Sequence, residues 1–166
     1  MFIDPAPHSE DVKQLNQMIH GNRIAMLTTT GSEWALRSRP MFTQEVDARG
    51  NLYFLTSADS ALVGEILANA SVHLTYADPG SQRYVAINGT ALVTHDQARI
   101  DEMWSPAAKA WFPDGKEDPQ IRVLTVEPQR AEYWDAPSAP VRLLQFVKAI
   151  ATGRQQRGGA HETLQL

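Results

Sequence analysis

The pattern of short, strand-like segments most strongly constrains the fold of this 166-residue chain. Segments rich in β-branched and aromatic residues recur between turn residues, with few helix-like segments among them. The predicted strands are 24–30, 33–42, 52–56, 72–76, 83–94, 121–127 and 130–135, the last two forming a hairpin around Pro128. The regular alternation of strand and helix that produces a parallel sheet is absent. Because closure removes exposed strand edges, six or seven antiparallel strands predict a small β-barrel.

Helices are predicted around this barrel, and a tail after it. The apolar spacing predicts helices at 9–20, 60–69, 96–103 and 141–151. Gly89, inside a long predicted strand, marks a bulge or a close backbone approach. Residues 1–151 are therefore predicted to form one mainly β domain with N-terminal and C-terminal helices. The polar, Gly- and Gln-rich segment 152–166 is predicted to be disordered.

Composition and motifs exclude several classes of function. A net charge of −4 argues against sequence-independent nucleic-acid binding, and the absence of cysteine excludes disulfides and thiolate metal sites. The five histidines are scattered without metal-ligand spacing, so no metal site is predicted. Neither a Rossmann glycine motif nor a P-loop occurs. The chain shows no signal peptide and no apolar run of bilayer length, which predicts a soluble, cytoplasmic protein without membrane partners.

Two arginines in the second predicted strand form the first candidate site. Arg37 and Arg39, in the stretch LRSRPM, are two residues apart, so their side chains leave an extended chain on the same face. That face is either simply solvated or holds an anion that is not part of the chain. A guanidinium group presents a fork of donors suited to phosphate or carboxylate.

The turn after the third predicted strand is the second candidate. Thr56, Ser57 and Ser60 lie between this strand and a helix, whose first backbone N–H groups lack intrahelical partners. Such groups, together with the helix dipole, can bind a phosphate. The simpler interpretation is that one of these side chains caps the helix.

Aromatic residues form the third candidate. Three of the four tryptophans fall between residues 104 and 134, and Trp111 is followed by Phe112 in a proline-broken loop. These rings either close the open end of the barrel, cover a flat aromatic ligand or form a subunit interface.

These segments, in this order, resemble a known family. The carriers are IAMLTT, LRSRPM, LYFLTSADS, VGEILANASVHLTYADP, YVAINGTALVTHD and the block from Trp104 to Asp118 together with AEYWD. Over roughly residues 9–137, the chain is similar to the general stress protein 26 family within the pyridoxamine 5′-phosphate oxidase-like, FMN-binding split-barrel superfamily. The resemblance implies a six- or seven-stranded antiparallel split β-barrel.

The resemblance also implies a ligand and an assembly. It implies a homodimer with FMN, or FAD, in a groove between two barrels, where the strand at 36–41 lines the flavin and the turn at 56–60 holds the phosphate. The expected cofactor-binding residues are Arg37, Ser38, Arg39, Pro40, Met41, Thr56, Ser57, Ser60, Trp111 and Phe112. Relatives commonly carry a lysine where this chain has Leu62, and losing one charge-assisted contact costs about 1.5–3 kcal/mol.

The expected function is therefore that of a flavin-binding protein of the general stress type. If it is an enzyme, it is expected to be an FMN-dependent oxidoreductase that uses a reduced nicotinamide. No side chain stands out as an acid–base catalyst, so no catalytic residue is assigned. The alternatives are a non-catalytic flavin carrier or sensor, a cofactor-free dimeric barrel and a deazaflavin-dependent reductase.

Overall fold

The computed structural model describes residues 9–135 and 160–165, which form three helices and a set of antiparallel strands. The helices are α1 (Ser9–Ile19), α2 (Ala61–Ala68) and α3 (Gln97–Met103). The strands are β1 (Ile24–Thr30), β2 (Leu36–Phe42), β3 (Glu45–Val46), β4 (Leu52–Ser57), β5 (Ser71–Asp78), β6 (Arg83–Thr94), β7 (Ile121–Asp135) and β8 (Ala160–Gln165). The predictions of these three helices and of the strands from β1 to β6 are confirmed, apart from shifts at their ends and the added two-residue β3.

The strands of the described part belong to a single antiparallel sheet. Their order is β2-β1-β5-β6-β7-β4-β3, with β8 paired to β7 beside this path. The sheet curls into a half-barrel, which confirms the prediction of a mainly β, antiparallel split barrel. The hairpin of β1 and β2 forms one end of the order, where β2 has no partner beyond β1 among the described residues.

The long strand β7 differs from the expected hairpin around Pro128. Residues 121–135 continue as a single strand, paired with β6 from Val123 to Asp135 and shifted in register between Asn88 and Gly89. A Cβ built on Gly89 would lie 2.5 Å from the carbonyl oxygen of Glu127. The bulge with its close backbone approach, expected at Gly89, is thus present, and it bends the strand pair where a turn was predicted.

The turn between β1 and β2 is also wider than predicted. Strand structure was expected to resume at Glu33, but residues 32–34 form a short 3₁₀ turn and β2 begins at Leu36. Glu33 and Trp34 both have left-handed backbone angles, with φ of 58° and 63°. The backbone N–H of Gly31 closes the loop by donating to the carbonyl of Ala35 at 2.7 Å.

The predicted disorder of 152–166 is corrected at its end. Residues 160–165 form β8, which pairs with Arg130–Asp135 of β7. Leu164 is buried in the main core, and the Tyr133 hydroxyl donates to the Glu162 carboxylate at 2.7 Å. Backbone pairing and one buried leucine thus order a segment whose polar composition predicted none. The expected helix at 141–151 lies outside the described residues.

Two apolar clusters support this architecture. The main core fills the concave side of the sheet and receives the inner faces of α1 and α2. A smaller cluster lies under the loop after α3 and contains Ile100, Met103, Phe112, Ile121 and Val123. This second cluster fixes the start of β7 and the loop before it against α3.

Candidate functional site

The two arginines of the LRSRPM stretch do share a face, and both contact one carboxylate of this same chain. Glu65, on α2, lies 3.1 Å from Arg37 through one oxygen and 2.6 Å from Arg39 through the other. The antiparallel register places Arg37 opposite Thr29 and Arg39 opposite Leu27, on the inner side of the hairpin. The sequence offered a solvated face or an external anion; the structure shows an internal anion bridging both guanidinium groups.

Thr29 completes this cluster. Its hydroxyl lies 2.5 Å from Glu65 Oε2 and accepts a hydrogen bond from Arg39 at 3.2 Å. The bond donated by Thr29 and the adjacent guanidinium groups of Arg39 and Arg37 hold the pKa of Glu65 below its ordinary value, although burial opposes this. Glu65 is therefore ionised near neutral pH. We call Thr29, Arg37, Arg39 and Glu65 the arginine–glutamate cluster.

The hydroxyl-rich turn lies at the start of the same helix. The Thr56 and Ser60 hydroxyls are 3.2 Å apart, and the Ser57 hydroxyl donates to Asp59. Ser60 occupies the N-cap position of α2, but its side chain accepts no hydrogen bond from the helix. The first backbone N–H groups of α2 are thus left without a side-chain cap. Glu65 follows Ser60 by five residues, about 7.5 Å of helix rise.

A cavity lies beside Arg37 and runs along α2 from Ala61 to Asn69. It has a volume of about 740 Å³ and lies between the β1–β2 turn and one face of α2. The face consists of Ala61, Gly64, Glu65 and Ala68, which follow helical spacing. Arg37 and Trp34 line the opposite wall, whereas Arg39 contacts Glu65 without lining the cavity. Volumes of about 300–1,000 Å³ are typical of small-molecule sites.

The other residues expected in this strand lie elsewhere. Ser38 and Pro40 occupy the outer face of β2, opposite to the arginines, where the Ser38 hydroxyl lies 2.7 Å from that of Thr28. Met41 faces inward and packs against the main core. Leu62, at the position where relatives commonly carry lysine, is buried in that core. The side chain at this position of α2 therefore faces away from the cavity.

The expected aromatic pair is divided between core and surface. Phe112 is buried in the smaller cluster and packs at 6.5 Å, centroid to centroid, from Trp104. Trp111 is 80% exposed. Their loop leads into β7 beside the hydroxyl-rich turn, since the Ala58 N–H donates to the Gln120 carbonyl at 2.8 Å. The structure thus brings this loop to the turn, with only Trp111 available at the surface.

Most residues that line the cavity escaped the sequence analysis, Glu65 and Trp34 among them, and so did Thr29 of the cluster. Glu65 and Trp34 line the cavity, and Thr29 bridges Glu65 and Arg39. Thr29 could not have been found by pairing the predicted hairpin, because the expected turn at Gly31 and Ser32 would have placed it opposite Trp34, whereas the wider turn places it opposite Arg37. The signal for Glu65 was an acidic residue on the helix face otherwise formed by Ala61, Gly64 and Ala68.

The described part of the chain contains neither a membrane-spanning helix nor a metal-binding group of side chains. None of its helices is both long enough and apolar enough to cross a membrane. Within 9–135 and 160–165, no three acidic or histidine side chains gather in a way that could hold a metal ion.

Comparison with known proteins identifies the family to which this chain belongs. The family model described as pyridoxamine 5′-phosphate oxidase like matches residues 10–157. General stress protein 26 of Bacillus subtilis is 33% identical over 88 residues, a match that spans 51% of this chain and 62% of that protein. The chain thus matches less than two thirds of that relative's length.

Solved structures extend the similarity to almost the whole chain. A general stress protein 26 structure from Jannaschia sp. CCS1 superposes with a TM-score of 0.77 at 25% identity, covering 96% of this chain and 100% of that one. The general stress FMN/FAD binding protein of Xanthomonas citri superposes with a TM-score of 0.68 at 26% identity, covering 80% and 93%. Because the family model covers most of the sequence and the fold agrees, the chain belongs to the pyridoxamine 5′-phosphate oxidase-like family.

Proposed function

We propose that this protein binds FMN, with the phosphate held between Arg37 and the start of α2. The observation that carries the proposal is the single cavity lined by both Arg37 and Ala61, the first residue of the uncapped helix. Thr56, Ser57 and Ser60 lie just ahead of α2 and would add hydroxyl groups near that end, although neither they nor Arg39, which would add charge, line the cavity. Guanidinium groups and helix N-terminal N–H groups are both suited to phosphate. The Xanthomonas citri relative is an FMN/FAD binding protein, which adds support from the family.

The flavin ring would then lie toward the remaining predicted residues. We assign to Trp111 the covering of the ring, because it is exposed on a loop tethered to the hydroxyl-rich turn. Phe112 would support this loop from the smaller core, and Met41 would support β2 from the main core. Ser38 and Pro40 face outward, so in this proposal they contact flavin only across a subunit interface.

A homodimer is part of the proposal. The outer face of the β1–β2 hairpin exposes Ile24, Met26, Leu36 and Phe42. Ile24 pairs with Phe42 in the register, and Met26 pairs with Pro40, so these four side chains form an apolar patch, which the Thr28–Ser38 pair separates from Leu36. Surfaces of this kind commonly mark protein interfaces. Light scattering should give twice the chain mass, and Met26→Lys should reduce it, while Leu92→Lys on exposed β6 should not.

Phosphate anchoring is tested by comparing FMN with riboflavin, which lacks the phosphate. We expect the wild-type protein to bind FMN more tightly than riboflavin in a fluorescence titration. Arg37→Ala should weaken FMN binding by about ten- to a hundredfold, the value of one charge-assisted contact, and leave the affinity for riboflavin unchanged. Arg49→Ala, in the turn between β3 and β4, is the matched control. Equal affinities for the two flavins in the wild type would contradict the proposal.

A redox activity would come from the flavin, which supplies the electron transfer when bound, while the protein supplies position and charge. We propose a cytoplasmic oxidoreductase that uses a reduced nicotinamide. Steady NADH oxidation that requires added FMN and is reduced in Arg37→Ala would support this role. Binding of FMN without such turnover would favour the flavin carrier.

A further inference from the structure

The buried carboxylate of Glu65 occupies the donors that the proposed ligand would use. Only 9% of its side chain is exposed, and it receives contacts from Arg37, Arg39 and the Thr29 hydroxyl. The negative charge of Glu65 reduces the combined charge of Arg37 and Arg39 from two positive charges to one. An incoming phosphate therefore meets a site that already contains a negative charge.

The two arginines hold this carboxylate unequally. Arg39 is 24% exposed, lies 2.6 Å from Glu65 and also donates to Thr29. Arg37 is 55% exposed, contacts Glu65 at 3.1 Å and lines the cavity. Arg39 and Thr29 thus fix Glu65 in place, and Arg37 is the donor over which Glu65 and a ligand in the cavity compete.

We propose that Glu65 is a specificity-determining residue that competes with the anionic group of the ligand for Arg37. It thereby weakens binding of doubly charged phosphates relative to uncharged analogues. This inference rests on the proposed function, because it concerns the same cavity and the same phosphate. Glu65 thus acts as a counter-charge within the binding site.

Electrostatics gives the direction and the approximate size of the effect. Two like charges repel each other more strongly the closer they lie, and salt screens this repulsion. With Arg37 fully available, the phosphate would gain contact with an unshared guanidinium group. We therefore expect that removal of the Glu65 charge increases the affinity for FMN by about tenfold or more and changes the affinity for riboflavin by less than about twofold.

The test compares Glu65→Gln with the matched control Glu127→Gln. Glu127 is exposed on β7 and does not line the cavity, so its substitution makes the same change in net charge elsewhere. FMN and riboflavin are titrated into both variants and the wild type, and the FMN-to-riboflavin affinity ratio is the readout. A ratio that increases only in Glu65→Gln supports the inference. An unchanged or reduced ratio, or a parallel change for both flavins, overturns it.

A second variant covers the case in which Glu65→Gln does not fold. Glu65→Asp keeps the charge but shortens the side chain, so it should hold Arg39 and release Arg37. We expect a smaller increase in the FMN-to-riboflavin ratio, about threefold, in a protein that melts close to the wild type. A folded Glu65→Asp with the wild-type ratio would overturn the inference.

Inorganic phosphate separates this inference from the proposed function. If Glu65 competes with anions, inorganic phosphate should raise the melting temperature of Glu65→Gln, or of Glu65→Asp, more than that of the wild type. If the wild type binds FMN no better than riboflavin, the proposed function fails, and this phosphate measurement still decides the role of Glu65. If phosphate stabilises the variants and the wild type equally, the competition fails while the proposed function stands or falls on Arg37.

Discussion

Arg39 and Glu65 lie 2.6 Å apart although 26 residues separate them in the sequence. The contact joins the edge strand β2 to α2, and the Thr29 hydroxyl lies within hydrogen-bond distance of both side chains. Arg37 contacts the same carboxylate from the solvent side. One residue pair thus contributes to the stability of the fold, while the neighbouring arginine remains accessible to a ligand.

We expect the two arginines to differ in their contribution to stability. Arg39→Ala leaves the buried Glu65 carboxylate with fewer donors and should lower the free energy of unfolding by about 1.5–3 kcal/mol. Arg37→Ala removes an ion pair whose guanidinium side chain is half-exposed, while Arg39 and Thr29 still hold Glu65, and should lower the free energy of unfolding by less than about 1 kcal/mol. Urea unfolding of the two variants measures both values. Equal losses of unfolding free energy would show that the two arginines contribute equally to stability, so that Arg39 has no special structural role.

Stability should depend on the ionisation of Glu65 in acid. The hydrogen bond from Thr29 and the guanidinium groups keep the pKa of Glu65 below its ordinary value of 4.5 in the folded protein. A carboxyl group with a depressed folded pKa stabilises the protein above the unfolded pKa, and this contribution is lost as the pH falls through the folded pKa. The free energy of unfolding should therefore fall more steeply in the wild type than in Glu65→Gln below roughly pH 5. Parallel pH profiles from urea unfolding would contradict this.

Gly64 allows the cavity to be closed without disturbing the core. A Cβ at this position in α2 would have no heavy atom within 4 Å, and the residue lines the cavity. Gly64→Ala should stabilise the protein by about 0.5–1 kcal/mol, because alanine favours the helix over glycine. Gly64→Leu should fold equally well but lose flavin affinity, since the side chain fills the cavity. Flavin binding retained by Gly64→Leu would place the ligand elsewhere.

Gly89 should tolerate no side chain. A Cβ there would lie 2.5 Å from the Glu127 carbonyl oxygen and 2.9 Å from Val126 Cγ1. Gly89→Ala must therefore separate β6 from β7 at the bulge, and we expect a loss of about 1–3 kcal/mol in the free energy of unfolding. Gly64→Ala serves as the control, because it adds the same methyl group in open space. A neutral Gly89→Ala would mean that the strands shift at little cost.

Local sequence signals predicted most of the sheet but not its longest strand. Alternation and turn residues predicted β1 to β6, because each of these patterns is contained in neighbouring residues. Pro128 was interpreted as the turn of a hairpin, since proline removes a donor from a strand. It lies opposite Gly89 at the bulge, where the register shifts. The sequence of β7 shows that Pro128 interrupts the strand, but whether the interruption is a turn or a bulge depends on the partner strand β6.

The site was predictable where it depends on local geometry. Residues two apart in a strand share a face, which correctly placed Arg37 and Arg39 together. The anion that joins them could not be deduced in this way, because Glu65 reaches β2 only through the packing of Leu62 and Ile66 against the core. The phase of α2 relative to the sheet, which decides whether Glu65 faces the arginines, is a tertiary property.

The terminal strand β8 and the earlier strand β4 flank the same side of β7, one beside each half. A chain cleaved ahead of Ala160 would uncover the backbone donors and acceptors of Arg130–Asp135 and the ring of Tyr133. An unpaired strand edge of this kind can form backbone hydrogen bonds with an extended peptide. In the intact chain, β8 would then protect this part of β7 from pairing with strands of other molecules. Proteolytic removal of β8 would make the protein prone to self-association.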